Sequence, residues 1–561
     1  VDFTMGGFVM EGSSGCTINA DQVVNAHALA LDGDGFTVCN GGSFFVEDSV
    51  TVNAGTLTIE DGGTVGFYSG AALNKGAAFT QNGGTVSVSG SAAFARGVVV
   101  NGGRFALHST ISSGSGVVVN GGFFDVCGNA DGTEVNVGST VTVNGGTFTL
   151  QRAGTDTVAA NFGSSVTVNG GNFVAQAGSS GRDLAVYGGD AALQERTTFG
   201  SVTVGAAATS SAEARGGTLS MASGASETSA LTMTNLSLSG LGVATLGNGS
   251  TLSASSVSVA GDSLLTLGAG TTLNGSVAVS GNGTFAWTGA TTLNGTLAVS
   301  GSGETSGKLV ANGETTLRSA PVAREGADPN ETVYGVVIEN GGLFSVGKTT
   351  IEGNLQVAAG GTLVFSSRSR ADYDSLTVKG DFSLAGLDDV EGTATTIVYD
   401  FGDSIPYEAE LFTVTGNFAG TNLEGVRVTN GDVDAWPTVF VENANGTLRE
   451  AALVFTLTSS AVTDSLGKTT TVSLEGGQSF DNLHLFYGSR QTERQTAVQR
   501  ALLQNYRETD SGGAEVVSAE YQNLFDALEG LNSVSALLSA YESIGVPVNL
   551  IAIDELHDKQ A

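Results

Sequence analysis

Residues 164–173 read SSVTVNGGNF, residues 139–148 read STVTVNGGTF, and residues 116–124 read GVVVNGGFF. In each, β-branched residues precede an Asn-Gly-Gly step and an aromatic residue follows it, the pattern of strand, tight corner and strand. Aligning the chain on this phrase gives Asn40, Asp61, Asn82, Asn101, Asn120, Asn144 and Asn169, at spacings of 19 to 25 residues. A second series, Asn53-Ala-Gly and Asn74-Lys-Gly, falls between them, which implies two corners per repeat. Asn and Gly both tolerate the left-handed backbone region, so both are expected to mark positions of positive φ.

An Asn-Gly corner can also close an antiparallel hairpin. The period argues against that, because a meander has no reason to keep the same residue types in register turn after turn, whereas a wound chain stacks like on like. Thr271-Thr-Leu-Asn-Gly-Ser-Val-Ala-Val-Ser-Gly281 recurs 20 residues later as Thr291-Thr-Leu-Asn-Gly-Thr-Leu-Ala-Val-Ser-Gly301. The expected fold is all-β: a right-handed parallel β-helix of about 24 coils at a rise of about 4.8 Å, with inward Val, Leu, Ile and Phe columns and corner Asn ladders. The five prolines all lie beyond residue 320, so every backbone donor before them is free for bonding between coils.

Composition narrows the function classes. The chain has 561 residues, 83 glycines and a formal charge of −33, so it lacks the clustered basic surface that nucleic acid requires. Cys16, Cys39 and Cys127 are too few and too scattered for a disulfide framework. The offsets of Cys16 and Cys39 from their neighbouring Asn put them in different columns, so two buried thiols are expected rather than a bridge. No run of 18 apolar residues is present to span a bilayer as a helix. A start at Val1 without Met fits a removed leader or a trimmed chain.

Catalytic chemistry is not evident. His27, His108, His484 and His557 are scattered, and no nucleophile elbow, Walker loop, HExxH or paired-Cys metal pattern occurs. Asp32-Gly-Asp34-Gly begins like a calcium loop but lacks the later oxygen ligands. Parallel β-helices can carry polysaccharide lyases or hydrolases, yet Lys75, Arg96, Arg104, Arg152, Arg182, Arg196 and Arg215 share no column of the repeat, and no paired carboxylates with a base are visible. No catalytic, cofactor or metal residue is therefore assigned, no cofactor is expected, and the protein is read as a non-enzyme. Two interruptions of the repeat, residues 205–215 and 318–335, are the places where an inserted loop could carry binding.

From about Thr396 the rhythm fades into irregular alternating strands such as Ala452–Leu457, an expected cap over the last coil. After Asn482 the period becomes helical. Ser489 to Tyr506 carries the stripe Ala497, Val498, Ala501 and Leu502, with Thr492 and Gln495 spaced as a capping box. Glu515 to Ile544 places Val517, Tyr521, Leu524, Leu528, Leu531 and Leu538 at helical intervals, with Gly530 as a weak point. Both stripes imply helix packed on helix or on a sheet end rather than a membrane-surface helix.

The Gly-rich array, the irregular ending around Trp436 to Leu457 and the run ALLSAYESIGVPVNLIAIDELHDKQ at 536–560 together resemble the passenger and pre-barrel region of bacterial autotransporters. That resemblance implies a β-helix passenger over 1–395, an autochaperone-like β cap over 396–480, and an amphipathic helical linker over 481–561 leading to a translocator barrel that this chain does not contain. It further implies type V secretion to the cell surface or beyond, with outer-membrane attachment only through such a barrel. The functional expectation is a non-enzymatic adhesin or structural rod whose partners are a host glycan, a surface protein or a second passenger. The alternatives are a β-helical carbohydrate-active enzyme and a self-associating aggregation factor.

Overall fold

The protein, described from a computed structural model, is an all-β parallel β-helix with an irregular β cap and a short helical segment after it. The description covers most of residues 2–544. Outside it lie 128–135, 152–160, 206–215, 224–229, 320–331, 386–394, 401–408, 420–426, 430–438, 477–490 and 545–561, together with segments of one to five residues. Two compact units are present: Val1–Leu309 with Leu317–Ala327, and Val310–Thr316 with Asp328–Ala561.

In the first unit each turn has three sides. Asn161–Val168 supplies two of them, bent by a register shift between Phe162 and Ser165, and Asn172–Ala175 supplies the third. All three pair in parallel with the next turn: Phe162 opposite Gly181, Val168 opposite Val186, Phe173 opposite Ala191. One inward column passes through Val100, Val119, Val143, Val168, Val186 and Val204, each fully buried. Another stacks Phe105, Phe124, Phe148 and Phe173 with ring centroids 4.7, 5.3 and 5.9 Å apart. Alternation puts every second side chain inside, and a fully buried Phe contributes about 2–3 kcal/mol.

The corner phrase divides its labour among three residues. Asn101, Asn120, Asn144 and Asn169 each donate from Nδ2 to Oδ1 of the Asn one turn earlier, at 2.9 to 3.0 Å, and Asn101 donates in this way to Asn82. The first glycine has an ordinary φ but no room: a Cβ added at Gly145 would lie 2.5 Å from the Asn120 carbonyl oxygen. The second glycine holds the left-handed backbone, with φ of +67° at Gly146. The corner Asn therefore serves its side chain rather than a positive φ, since among the described residues only Asp21 and Arg196 have positive φ without being glycine.

Three further details depart from the sequence reading. The coil has three corners rather than two, the third exemplified by Gln176-Ala-Gly-Ser179, where Ser179 Oγ donates to the Gln176 carbonyl at 2.7 Å. The ladder begins at Glu60 and not at Asp61: Asn82 Nδ2 donates to Glu60 Oε1 at 3.1 Å, because the Glu60–Gly63 corner is one residue longer than the Asn82–Gly84 corner stacked on it. Turn lengths range from 18 residues (Val168 to Val186) to 34 (Val204 to Leu238) and 36 (Val378 to Val414), and the parallel β-helix completes about 13 turns, fewer than a uniform 20-residue step implies.

The second unit continues the same logic, with Val336, Leu355, Phe382 and Phe418 in parallel register. It then closes. Ala409–Val414 is parallel to Ser375–Val378 on one side and antiparallel to Gly467–Gly476 on the other, and that strand forms a hairpin with Phe455–Asp464. The hairpin covers an edge that would otherwise present unpaired backbone groups. Phe382, Phe412 and Phe418 fill the space beneath with centroids 5.2 to 5.9 Å apart.

Helix Glu493–Asn505 starts with the expected capping box: Thr492 N donates to Gln495 Oε1 at 2.8 Å, and Gln495 N donates to Thr492 Oγ1 at 3.2 Å. Val498 and Leu502 pack with Phe525, Leu528, Leu537, Leu538 and Tyr541, so helix does pack on helix, while Ala497 of the expected stripe is exposed. The expected helical interval from Glu515 to Ile544 is broken up. Glu515–Val517 is a strand paired antiparallel with Arg507–Thr509, Gln522–Glu529 is a helix ending directly before Gly530, and 536–544 is a further helix. β-Branched Val516 and Val517 favour the extended form, which the helical spacing of Val517 concealed. No helix among the described residues is long and apolar enough to cross a membrane.

Candidate functional site

Seven residues after each ladder Asn, the chain reaches another corner of the coil. There the stacked residues are Ser89, His108, Cys127, Gln151 and Gln176, following Asn82, Asn101, Asn120, Asn144 and Asn169. Preceding turns extend the column to Tyr68 and Glu47: Tyr68 N donates to the Val46 carbonyl at 3.0 Å, Ser89 N to Phe67 at 2.8 Å and His108 N to Val88 at 2.8 Å. The same rung-to-rung register that repeats Asn on one corner thus gathers different polar side chains on this one.

At the early end of the column His27 Nδ1 lies 3.0 Å from Glu47 Oε2 and 3.6 Å from Asp48 Oδ2, all three side chains being more than half exposed. Tyr68 is 53% exposed and stacks on Phe45 at 6.3 Å with the rings 20° apart, both rings lying over Gly66, where a Cβ would come within 2.8 Å of Phe45 Cδ1. Beside this corner runs an open groove of about 360 Å³ crossing four turns, with Asp48, Ser49, Thr51, Ser69, Ser91 and Thr110 among its lining. Ala72 and Ala93 form its floor between the hydroxyls, opposite each other in adjacent turns. Ser69 Oγ donates to the Glu47 carbonyl and ties two rungs at the groove's edge.

Further along the column the neighbouring outer face carries an ion pair. Arg104 Nε is 2.8 Å from Asp125 Oδ2, with the Asp125 side chain buried and Arg104 mostly exposed. Cys127 Sγ lies 3.5 Å from Gln151 Oε1. Burial pushes the Cys127 thiol up, the Asp125 carboxylate pushes it further, and Arg104 opposes both. The thiol is held protonated as a weak donor and is not an activated nucleophile. Cys16 is likewise half-buried, free and raised by burial, whereas Cys39 lies outside the described residues.

His27 and His108 share one corner column but stand four rungs apart, about 19 Å at the usual rise. The sequence reading missed the carboxylates that meet His27, since Glu47 and Asp48 lie 20 residues downstream and only the coil brings them together. Arg96 and Arg182 fall at one bend of the coil, each two residues before the column Val98, Val117, Val141, Val166 and Leu184 and four turns apart. These two share a position that the sequence reading kept apart, whereas Arg104 and Arg196 lie elsewhere in the turn. His484, His557, Asp34, residues 206–215 and most of 318–335 lie outside the described residues. Among those described, no three His, Cys, Asp or Glu side chains are placed to hold a metal ion. Compared with known proteins, the chain matches no family model and no curated relative.

Proposed function

We propose that the protein is the passenger of a bacterial autotransporter, displayed at the cell surface or released from it, where it acts as a non-enzymatic adhesin or structural rod. The observation that carries this reading is the parallel stack of the first unit, which keeps its register from turn to turn, with a polar groove of small side chains open along its side. Such a stack satisfies its own backbone turn by turn and leaves outer Ser, Thr and Asn side chains to meet a partner. The resemblance of the array and of residues 536–560 to autotransporter chains supports the export route. Protease shaving of intact source cells should degrade the protein while cytoplasmic markers survive. Beads coated with the chain should adhere to host cells or to neighbouring bacteria, and inert, non-adherent beads would refute the adhesive role.

One observation favours a second reading, a carbohydrate-active enzyme: Glu47 and Asp48 lie together beside His27 at the end of the groove. A screen of acidic and neutral polysaccharides for new reducing ends or unsaturated products decides between the two. Turnover abolished by Glu47→Gln would replace the adhesin reading.

A further inference from the structure

We infer that the groove beside the Glu47–Tyr68 corner binds a linear, amine-bearing oligosaccharide of the glucosamine type, a site that rests on the adhesin reading for its setting and on its own chemistry for its ligand class. The groove follows the coil axis across four turns, so it repeats its surface at the rung spacing and suits a linear ligand with a short, regular repeat. Its volume of about 360 Å³ lies within the range of small-ligand sites. Along it Thr51, Ala72 and Ala93 stack in one column, and the hydroxyls of Ser49, Ser91 and Thr110 lie beside their methyl groups. That mixture of hydroxyl and methyl surface matches a pyranose, whose rim is hydroxyl and whose faces are C–H.

Charge selects among sugars. Asp48 lines the groove and Glu47 precedes it, and neither Lys nor Arg is part of the lining. His27 contacts both carboxylates, yet one imidazole against two carboxylates leaves the end of the groove negative in either protonation state. On a chain of formal charge −33, a sulfated or uronic-acid polymer is repelled and an amine is drawn in. Tyr68, exposed and braced against Phe45 next to groove-lining Ser69, gives a sugar face or an ammonium group a fixed aromatic surface. A basic peptide fits less well, because the strands under the groove already spend their backbone groups on the turns above and below and offer no edge for strand addition.

Titration calorimetry of the full chain with a glucosamine hexamer tests the site, with N-acetylglucosamine hexamer, a heparin hexasaccharide and hexalysine as comparisons. Saturable binding of the glucosamine hexamer is expected, weakened about tenfold or more by Ala93→Trp, which fills the groove from an exposed outward position, and several-fold by Tyr68→Ala and by Asp48→Asn, with thermal melts unchanged. The N-acetylated hexamer should bind at least about tenfold more weakly and the heparin fragment not at all. Absence of saturable binding by the glucosamine hexamer, binding unaltered in Ala93→Trp, or hexalysine binding as tightly as the amino sugar would each overturn the proposal. Coated beads that adhere while the hexamer fails refute the groove alone, and a hexamer that binds while beads stay inert refutes the adhesin reading alone.

Discussion

Two corners of the same coil have been treated in opposite ways. At the Asn-Gly-Gly corner, turn after turn from Asn82 to Gly171 keeps one side chain and two glycines, and each meets a separate physical demand. The Asn amide bonds to the rung before, the first glycine sits against a carbonyl too close for any Cβ, and the second holds a left-handed φ. At the corner seven residues on, the column changes at every turn through Tyr68, Ser89, His108 and Cys127, and only then repeats one residue type at Gln151, Gln176 and Gln194. The backbone stacks equally well at both, as the rung-to-rung bonds of 2.8 to 3.0 Å at Tyr68, Ser89 and His108 demonstrate. Uniformity thus marks where the fold is specified by side chains, and variety marks where backbone stacking suffices and side chains are free to meet something else.

Substitutions can break that contrast, and the core beneath both corners sets the largest effect. Phe148→Ala removes a fully buried ring stacked between Phe124 and Phe173 and should cost about 3–5 kcal/mol, read as a fall in urea midpoint. Gly146→Ala combines a strained φ of +67° with a Cβ 2.4 Å from the Gly122 carbonyl oxygen, and a loss of roughly 2 kcal/mol or more is expected. Asn144→Ala removes two ladder bonds on an exposed edge and should cost about 1 kcal/mol. His108→Ala, one corner away, should change stability by less than about 0.5 kcal/mol. A ladder Asn that proves as dispensable as His108 would dissolve the distinction between the corners.

Cys127 sharpens it at the smallest scale. Its raised thiol makes alkylation at pH 8 slower in the folded protein than in denaturant, as site-resolved mass spectrometry would show. Because the fold favours the neutral thiol, this group's contribution is present below the unfolded value near 9.0 and is lost as pH rises through the raised folded value. Alkylation as fast in the folded chain as in denaturant would place the thiol in open solvent.

The fold was legible because its strongest constraint is written in residue types. Asn and Gly at the ladder corner leave a mark at every turn, and Thr492 with Gln495 announced a cap that forms as spelled. Positions with no fixed residue were harder to read. The third corner uses Gln-Ala-Gly-Ser at 176–179 and Gln-Glu-Arg-Thr at 194–197, so Arg196 takes a positive φ that Gly178 takes one turn before, and only the Gln and the hydroxyl residue that bonds back to it recur. Asp61 resembled a ladder residue, yet one extra residue moved Glu60 into register. The groove went unread because its members carry no motif, although counting nine residues past Asn82 and Asn101 would have lined up Ser91 and Thr110. Val517 kept a helical interval while joining a strand, since periodicity alone cannot rank a β-branched pair against a weak helix.

The central claim is that each ladder Asn sits directly over the Asn one turn before it. In a chain whose three native cysteines are replaced by alanine, oxidation of the Asn120→Cys, Asn144→Cys pair tests it against the Asn101→Cys, Asn144→Cys pair. Adjacent turns at about 4.8 Å lie within disulfide reach and turns two apart, at about 10 Å, do not. The stack predicts efficient crosslinking of the first pair and none of the second. Failure of the 120/144 pair to close, or closure of both pairs alike, would contradict the parallel coil.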